Sequence, residues 1–369
     1  MQGLAASTVG LIGLAVGLAC GFTVQRAKLC TFGAVEDALV GGNWRRLRAF
    51  GLSLALAILG VQALVVFLGF DPGTTTYVPA RLALAGTLAG AILFGLGMAL
   101  VGTCAFGSLV RLGTGDLRSL VTLLVFAVLA YAILRGTLAG LRIGTIEAVA
   151  ISLPSGAIGS YPALLDGWIG PLAGQFVGPV IAIALIAAAL RDARLRRSPR
   201  LVTASITLGL GVVLGWAVTG PLADPFADQI RVQSLTFVAP VARALFALAT
   251  GEGVLLDFGV MSVFGVMVGS ATAAILAREF RWEAFDDQRE MRRHLTGAAF
   301  MGFGGVLAGG CTIGQGLTAG SLLAVSWPVA VIGMVLGARI GIAILLEGSM
   351  LEWLRALLRR ADRRRSAAE

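Results

Sequence analysis

Long apolar segments separated by short charged or glycine-rich segments make up most of this chain. Each approaches or exceeds the roughly 20 mostly apolar residues that one helical crossing of a bilayer requires. The pattern predicts an all-α polytopic membrane protein with about nine transmembrane helices. The candidate crossings are residues 3–22, 48–69, 82–103, 118–138, 168–190, 201–220, 255–277, 295–310 and 327–350.

The composition agrees with this interpretation. Of the 369 residues, 57% are hydrophobic and only 13% are charged, and the mean hydropathy is +0.89. A soluble domain has about 25% charged residues. The segment 3–22 has neither a basic region before it nor a clear cleavage site after it, so it is interpreted as a first crossing rather than a signal peptide.

The net charge of +9 comes from short basic segments between the apolar ones. With nine crossings, 23 of the 29 lysines and arginines fall on one side. Cytoplasmic segments of membrane proteins are enriched in these residues. The distribution therefore predicts a cytoplasmic C-terminus and an extracellular N-terminus, with the lipid bilayer rather than nucleic acid as the partner.

A cysteine with glycines on both sides occurs in two similar segments, "GMALVGTCAFGSLVRLG" and "GGVLAGGCTIGQGLTAG". Aligning Cys104 with Cys311 also superimposes six glycines on six others. We interpret residues 5–140 and 200–350 as two repeats of a single membrane domain, 1–369. The connector 141–199 contains one crossing, and an odd number of crossings inverts the second repeat, as in many transporters. A basic tail, 351–369, completes the chain.

Three cysteines precede segments that are too short to cross a membrane. Each is interpreted as a break followed by a re-entrant half-helix, and such breaks occur where the backbone lines a cavity. Helix N-termini favour anions, and a polarizable thiol suits the soft sulfur of a sulfur-containing anion. The candidate substrate-binding residues are Cys30, Cys104, Cys311, Gly102, Gly107, Gly310, Gly314 and Gln315. The alternative is that these cysteines are small buried hydrophobic residues, which is the role expected for Cys20.

Other charged and polar residues are less informative. Gln25, Arg26 and Lys28 are candidates for guiding an anion at the inner mouth, or else ordinary cytoplasmic charge. Arg339, within the last crossing, either extends towards the interface or pairs with an acidic neighbour. His294 is expected in a basic loop. The sequence suggests no metal site and no cofactor, and it leaves the role of residues 140–166 open.

The motifs "GFTVQRAKLC", "GMALVGTCAFGSLVRLGTGD" and "GGVLAGGCTIGQGLTAG", with "FRW" at 280–282, resemble those of the YeeE/YedE family of bacterial sulphur-transport membrane proteins. The resemblance covers almost the whole chain. It implies uptake of thiosulfate across the bacterial inner membrane, with Cys30, Cys104 and Cys311 relaying the ion. It also implies small cytoplasmic sulfur-carrier proteins as partners.

Two alternatives remain open at this point. One is a transporter of another sulfur or selenium species. The other is a membrane sulfurtransferase that forms a cysteine persulfide, but such an enzyme needs an activated thiol with a base or cationic pocket nearby. The single histidine lies outside the three motifs. The sequence therefore favours a transporter over an enzyme.

The predicted topology can be tested with reporter fusions at positions 75, 195, 225 and 285. We expect them to report outside, inside, outside and inside, because basic segments stay in the cytoplasm. Activities of paired cytoplasmic and periplasmic reporters at each position provide the measurement. The same side at 195 and 225 would contradict the inverted repeat.

Overall fold

The structure is a computed structural model that describes residues 4–145, 150–153, 158–168, 170, 173–224, 231–251 and 257–347. Within these ranges the chain is mostly helical and contains very little strand. The helices are Ala6–Ala27 (α1), Thr31–Leu39 (α2), Arg45–Leu68 (α3), Leu84–Val101 (α4), Ala105–Gly113 (α5), Leu117–Leu134 (α6), Ala139–Thr145 (α7), Tyr161–Trp168 (α8), Ala173–Leu190 (α9), Ala193–Arg196 (α10), Pro199–Thr219 (α11), Ala239–Thr250 (α12), Phe258–Leu276 (α13), Gln288–Leu307 (α14) and Ser326–Glu347 (α15).

Several short elements supplement the helices, among them a 3-10 turn at Pro72–Thr74. Strands Arg81–Leu82 (β1) and Ile151–Ser152 (β2) pair antiparallel, and Gly314–Ala319 forms a turn of π-helix. The strand β2 belongs to the segment 140–166, part of which lies outside the described residues, as does the predicted basic tail, 351–369.

Seven helical stretches in the described ranges are long and apolar enough to cross a membrane. They confirm an all-α polytopic membrane protein. Two of the stretches, Ala6–Leu39 and Leu84–Gly113, each combine a long helix with the short helix that follows it. Many residues in the long helices expose large apolar side chains on the outside of the bundle, as lipid contact requires.

Helices α9 and α14, which correspond to the predicted crossings 168–190 and 295–310, are not among these seven stretches. The described apolar part of α9 is slightly shorter than the other stretches, and the first two turns of α14 are strongly charged. The prediction for His294 was wrong: α14 begins at Gln288, so this histidine lies inside the helix rather than in a loop. It is buried, and its Nδ1 lies 3.3 Å from Thr122 Oγ1 on α6.

Connections at one end of the bundle are joined by ion pairs, and we call this the basic end. Arg48 Nη1 lies 2.8 Å from a carboxylate oxygen of Asp192, and Lys28 pairs with Glu279. At the opposite end Arg243 pairs with Asp257 at 2.9 Å, and backbone hydrogen bonds also join the connections. Tyr161 N–H donates to the Leu323 carbonyl there, for example.

The turn after α5 is fastened to the connection between α13 and α14. Residues 114–118 and 281–283, which we call the clamp, form a short backbone ladder with hydrogen bonds of 2.8–3.1 Å. Arg118 adds ion pairs to Asp116 at 3.0 Å, Glu290 at 3.1 Å and Glu283. The clamp therefore holds the end of a short helix to a remote part of the chain.

Glycines set the separation between the long helices. On α1, Gly13, Gly17 and Gly21 recur every four residues and face α13. A Cβ at Gly17 would lie 2.2 Å from the Ser262 carbonyl oxygen, and one at Gly21 would lie 2.2 Å from that of Val266. Small residues at this spacing let two helix backbones approach closely. Only glycine fits this interface without displacing a backbone.

The contact between α4 and α14 is reciprocal. A Cβ at Gly97 would lie 2.6 Å from the Gly297 carbonyl oxygen, and a Cβ at Gly304 would lie 2.5 Å from that of Gly90. The sequence alignment matches Gly90 with Gly297 and Gly97 with Gly304. When each glycine is replaced by its match, the first contact becomes the second. The two helices therefore meet through equivalent faces.

We expect Gly17→Ala to destabilise the folded protein, because the added methyl group collides with backbone atoms of α13. Forced overpacking costs about 1–3 kcal/mol. The matched control is Gly51→Ala on α3, where the added Cβ meets only a Leu185 methyl group at 3.9 Å. Thermal unfolding in detergent should show a lower midpoint for Gly17→Ala alone. Equal midpoints would contradict tight packing at this interface.

Candidate functional site

The three motif cysteines lie where the chain leaves one helix and enters a short one. Cys30 and Cys104 are the N-cap residues of α2 and α5, and both have extended backbones. Their helices have nine residues each, which corresponds to a length of about 13 Å, less than half of a hydrocarbon core of about 30 Å. Cys311 precedes the helical segment that contains the π turn. Each break thus places a sulfur at the start of a helix.

Two of the thiols accept backbone hydrogen bonds from the helices that they precede. Gly107 N–H donates to Cys104 Sγ at 3.4 Å, and Gly314 N–H donates to Cys311 Sγ at the same distance. In each case the donor lies three residues after the cysteine, as in a serine or aspartate N-cap. The cysteine replaces an oxygen cap by a softer and weaker acceptor.

Left-handed turns immediately precede the second and third breaks. Gly102 ends α4 with φ of 77°, and Gly309 follows α14 with φ of 73°. Residues with a Cβ rarely adopt this region, so glycine is favoured at both positions. These turns let a long helix stop inside the bundle.

The thiols and the neighbouring hydroxyls form one cluster. Cys30 Sγ lies 3.5 Å from Thr103 Oγ1, and the Cys104 thiol donates to Thr31 Oγ1 at 3.9 Å. Each thiol therefore contacts the threonine that adjoins the other cysteine in the chain. Residues before and at the start of α2 thus interdigitate with those before α5.

The third break joins this cluster through a threonine. Thr312 Oγ1, next to Cys311, donates to Thr31 Oγ1 at 3.3 Å. Thr31 therefore contacts both other breaks. We call Cys30, Thr31, Thr103, Cys104 and Thr312 the central cluster.

The Cys311 thiol faces different neighbours on the side towards the opposite end. A Cβ at Gly314 would lie 2.5 Å from Thr236 Oγ1 and 3.1 Å from Tyr77 Oη. Cys311 is thus flanked by hydroxyl groups on this side, while Thr312 links its segment to the central cluster.

Positive charge lies between the central cluster and the basic end. Arg111 Nη2 donates to the Gly102 carbonyl at 3.1 Å, which places a cation at the C-terminus of α4. Lys28 hydrogen-bonds to Glu279, and this bond and the lysine charge hold the pKa of the Glu279 carboxyl below its ordinary value. The Lys28 charge is therefore already paired.

Comparison with known proteins gives the function of the family. A family model described as sulphur transport matches residues 26–340. The chain belongs to the sulphur transport family. It is 28% identical over 350 residues to the thiosulfate transporter TsuA of Escherichia coli strain K12, covering 89% of this chain and 92% of the relative. It is also 28% identical over 337 residues to the thiosulfate transporter TsuA of Spirochaeta thermophila, covering 88% and 96%.

Membership in the sulphur transport family confirms the resemblance seen in the three motifs. The relatives are named as transporters, so this is a transport protein rather than an enzyme. The match to the family model, residues 26–340, includes all three cysteine breaks. Among the described residues, no group of three or more histidine, cysteine, aspartate or glutamate side chains could hold a metal ion.

The predicted site residues occupy several different positions. Cys30 and Cys104 meet in the central cluster, and Cys311 adjoins it through the neighbouring Thr312. Gln315 is buried and its Nε2 donates to the Ala308 carbonyl at 2.7 Å, so it holds the glycine turn before Cys311 while its Oε1 has no hydrogen-bond partner. A Cβ at Gly310 would lie 3.3 Å from the backbone nitrogen of Gln315. Substrate binding by these residues stays a prediction.

The remaining candidates lie away from the cluster. Cys20 is fully buried between α1 and α11, where its thiol donates to the Thr207 carbonyl at 3.7 Å. Gln25 is buried near Glu279. Arg339 is exposed on the side of α15.

Sequence reasoning missed the hydroxyl groups of the site. Thr31, Thr103 and Thr312 are each adjacent to a motif cysteine in the chain, and this recurring pairing was a signal that could have identified them. Thr236 could have been found by aligning "CTFGAVEDAL" at 30–39 with "LTFVAPVARAL" at 235–245, which pairs it with Thr31 and pairs Leu235 with Cys30. Tyr77 has no such signal, because it comes from a connection between α3 and α4.

The pairing of Cys30 with Cys104 can be tested with phenylarsine oxide, which bonds to two neighbouring thiols. We expect a variant that retains only Cys30 and Cys104 to bind one equivalent of phenylarsine oxide and to lose both free thiols. A variant that retains only Cys20 and Cys311 should not bind phenylarsine oxide through both thiols, because these thiols lie in different segments and have separate partners. Thiol titration and intact mass provide the measurements, and equal binding by both variants would refute the pairing.

Proposed function

We propose that the protein takes up thiosulfate through a pathway lined by Cys311, Cys104 and Cys30. The observation that carries the proposal is the central cluster, where thiols and hydroxyls meet at the starts of short helices. The names of the two relatives support thiosulfate as the substrate. A bilayer-spanning helical bundle supports transport across a bacterial inner membrane.

The chemistry of the cluster matches the two ends of thiosulfate. Helix N-termini attract anions through unpaired N–H groups and the helix dipole. Threonine hydroxyls donate hydrogen bonds to oxygens. The thiols are weak donors and polarizable, so they favour the soft terminal sulfur over a strongly hydrated oxygen. Sulfate lacks that sulfur and loses more hydration energy on entry.

The proposed pathway connects two inverted repeats, 5–140 and 200–350. The reciprocal contacts between α4 and α14 support this arrangement. So does the packing of the other helices: α1 packs on α13 as α11 packs on α3, and α4 packs on α15 as α14 packs on α6. The fifth long helix, α9, packs on α3 and has no counterpart.

The basic end faces the cytoplasm in this proposal, because cytoplasmic segments are enriched in lysine and arginine. Thiosulfate then meets Cys311 first and passes Thr312 to Cys104 and Cys30. Arg111 and the segment Gln25–Lys28 lie on the exit side. A small cytoplasmic sulfur-carrier protein would receive the ion at this end.

The arrangement does not favour a sulfurtransferase. A persulfide enzyme needs a base or a cationic pocket beside its thiol. The neighbours of Cys104 described here are a thiol, hydroxyls and the Gly107 amide. His294 instead contacts Thr122 and lies near Glu290 on its own helix. A related selenium or sulfur anion would use the same contacts, and competition against labelled thiosulfate ranks these substrates.

We expect Cys104→Ala and Cys311→Ala each to reduce thiosulfate uptake at least tenfold. An increase of about 1.4 kcal/mol in the barrier to transport slows it tenfold. Cys30→Ala should impair uptake less. The matched control is Cys20→Ala, because Cys20 is also a buried thiol but lies outside the cluster. Uptake of labelled thiosulfate into liposomes, with and without ion gradients, provides the measurement. Wild-type rates for Cys104→Ala and Cys311→Ala would refute the thiol pathway, and no uptake by the unmodified protein would refute the proposed substrate.

A further inference from the structure

A cavity of about 390 Å³ lies at the opposite end of the bundle, above the third break. Its walls include Tyr77, Thr87 and the turn Val306–Gly309, and Gln315 lies at its inner boundary. Ligand pockets for small molecules fall in the range of roughly 300–1,000 Å³. The cavity is therefore large enough for a small hydrated anion, and its inner boundary is the segment that carries Cys311.

The ring of Tyr77 is held in place by its neighbours. It packs edge-on against Trp216, with centroids 6.2 Å apart and planes at 89°. Trp216 is itself fully buried, and its Nε1 donates to Ser321 Oγ at 3.1 Å. Because Trp216 cannot move freely, the Tyr77 hydroxyl has a defined position.

That hydroxyl lies between the cavity and the third thiol. Both this hydroxyl and Thr236 Oγ1 lie beside Gly314, since a Cβ there would be 3.1 Å from Tyr77 Oη and 2.5 Å from Thr236 Oγ1. The amide of Gly314 in turn donates to Cys311 Sγ. Tyr77 thus both lines the cavity and lies beside the residue whose amide donates to the Cys311 thiol.

We propose that Tyr77 is a substrate-binding residue that determines affinity at the entrance of the pathway. Its hydroxyl donates a hydrogen bond to an oxygen of the entering anion, while the Cys311 thiol contacts the terminal sulfur. This assignment rests on the proposed function and adds a polar group that the cysteine motifs do not contain. A rigid phenol suits the task, because it donates one directed hydrogen bond and adds no charge that would trap the ion.

The assignment also explains a difference between the two sides of the pathway. The central cluster has two thiols, Cys30 and Cys104, whereas Cys311 has no thiol partner among its described contacts. In the aligned sequences Leu235 takes the place of Cys30. The side facing the cavity thus combines a single thiol with the hydroxyls of Tyr77 and Thr236, so the oxygens of an entering anion have partners there before its sulfur meets the paired thiols.

Tyr77→Phe tests the proposal, because it removes one oxygen and keeps the ring against Trp216. We expect KM for thiosulfate uptake to rise about threefold to tenfold, the effect of one lost hydrogen bond, with a Vmax close to that of the unmodified protein. Thiosulfate binding measured by calorimetry in detergent should weaken by the same factor. Thr236→Val, which removes the other hydroxyl beside Gly314, should also raise KM.

The control is Tyr131→Phe, whose ring stacks on Phe246 with centroids 4.6 Å apart, away from the third break. Its KM should not change. An unchanged KM in Tyr77→Phe would overturn the assignment. A lower Vmax and unfolding midpoint with unchanged KM and binding would overturn it in favour of a structural role. Absence of uptake and binding by the unmodified protein would instead refute the proposed function, so the two failures are distinguishable.

Discussion

Contact between helix backbones at glycine is the constraint on which the interior of this protein depends. Where Gly17 faces Ser262 and Gly97 faces Gly297, no side chain separates the helices. In a bilayer, lipid tails are as apolar as the helix surfaces, so association relies on close packing rather than on the hydrophobic effect. The long helices therefore form a tight frame, and this frame surrounds chain segments that would be unstable in lipid.

Those enclosed segments create the chemistry of the site. A broken helix leaves N–H groups without intrahelical partners, and lipid cannot satisfy them. Here Cys104 and Cys311 each accept one of these N–H groups. A sulfur acceptor binds an N–H more weakly than oxygen does, so the same groups remain available to an anion. The structural need for a cap and the chemical preference for sulfur are met by a single atom.

The long helices and the three breaks could be predicted from the sequence, since apolar length and glycine clusters are properties of consecutive residues. The start of α14 could not, because its first turns are charged and are stabilised by contacts such as Arg118 with Glu290. The positions of the cysteines could be predicted for the same reason as the breaks. Their partners depend on which segments meet in space, and for Tyr77 nothing nearby in the chain indicates that its hydroxyl lies beside Gly314.

The clamp has a mechanical consequence. It binds the turn after α5 to the connection before α14, and Gly115 lies so close that a Cβ there would be 2.2 Å from the Arg281 carbonyl oxygen. The short helix that begins at Cys104 therefore cannot tilt or slide by itself. A displacement of its far end also displaces the connection between α13 and α14. The two halves of the chain are therefore mechanically coupled around the thiols and do not move independently.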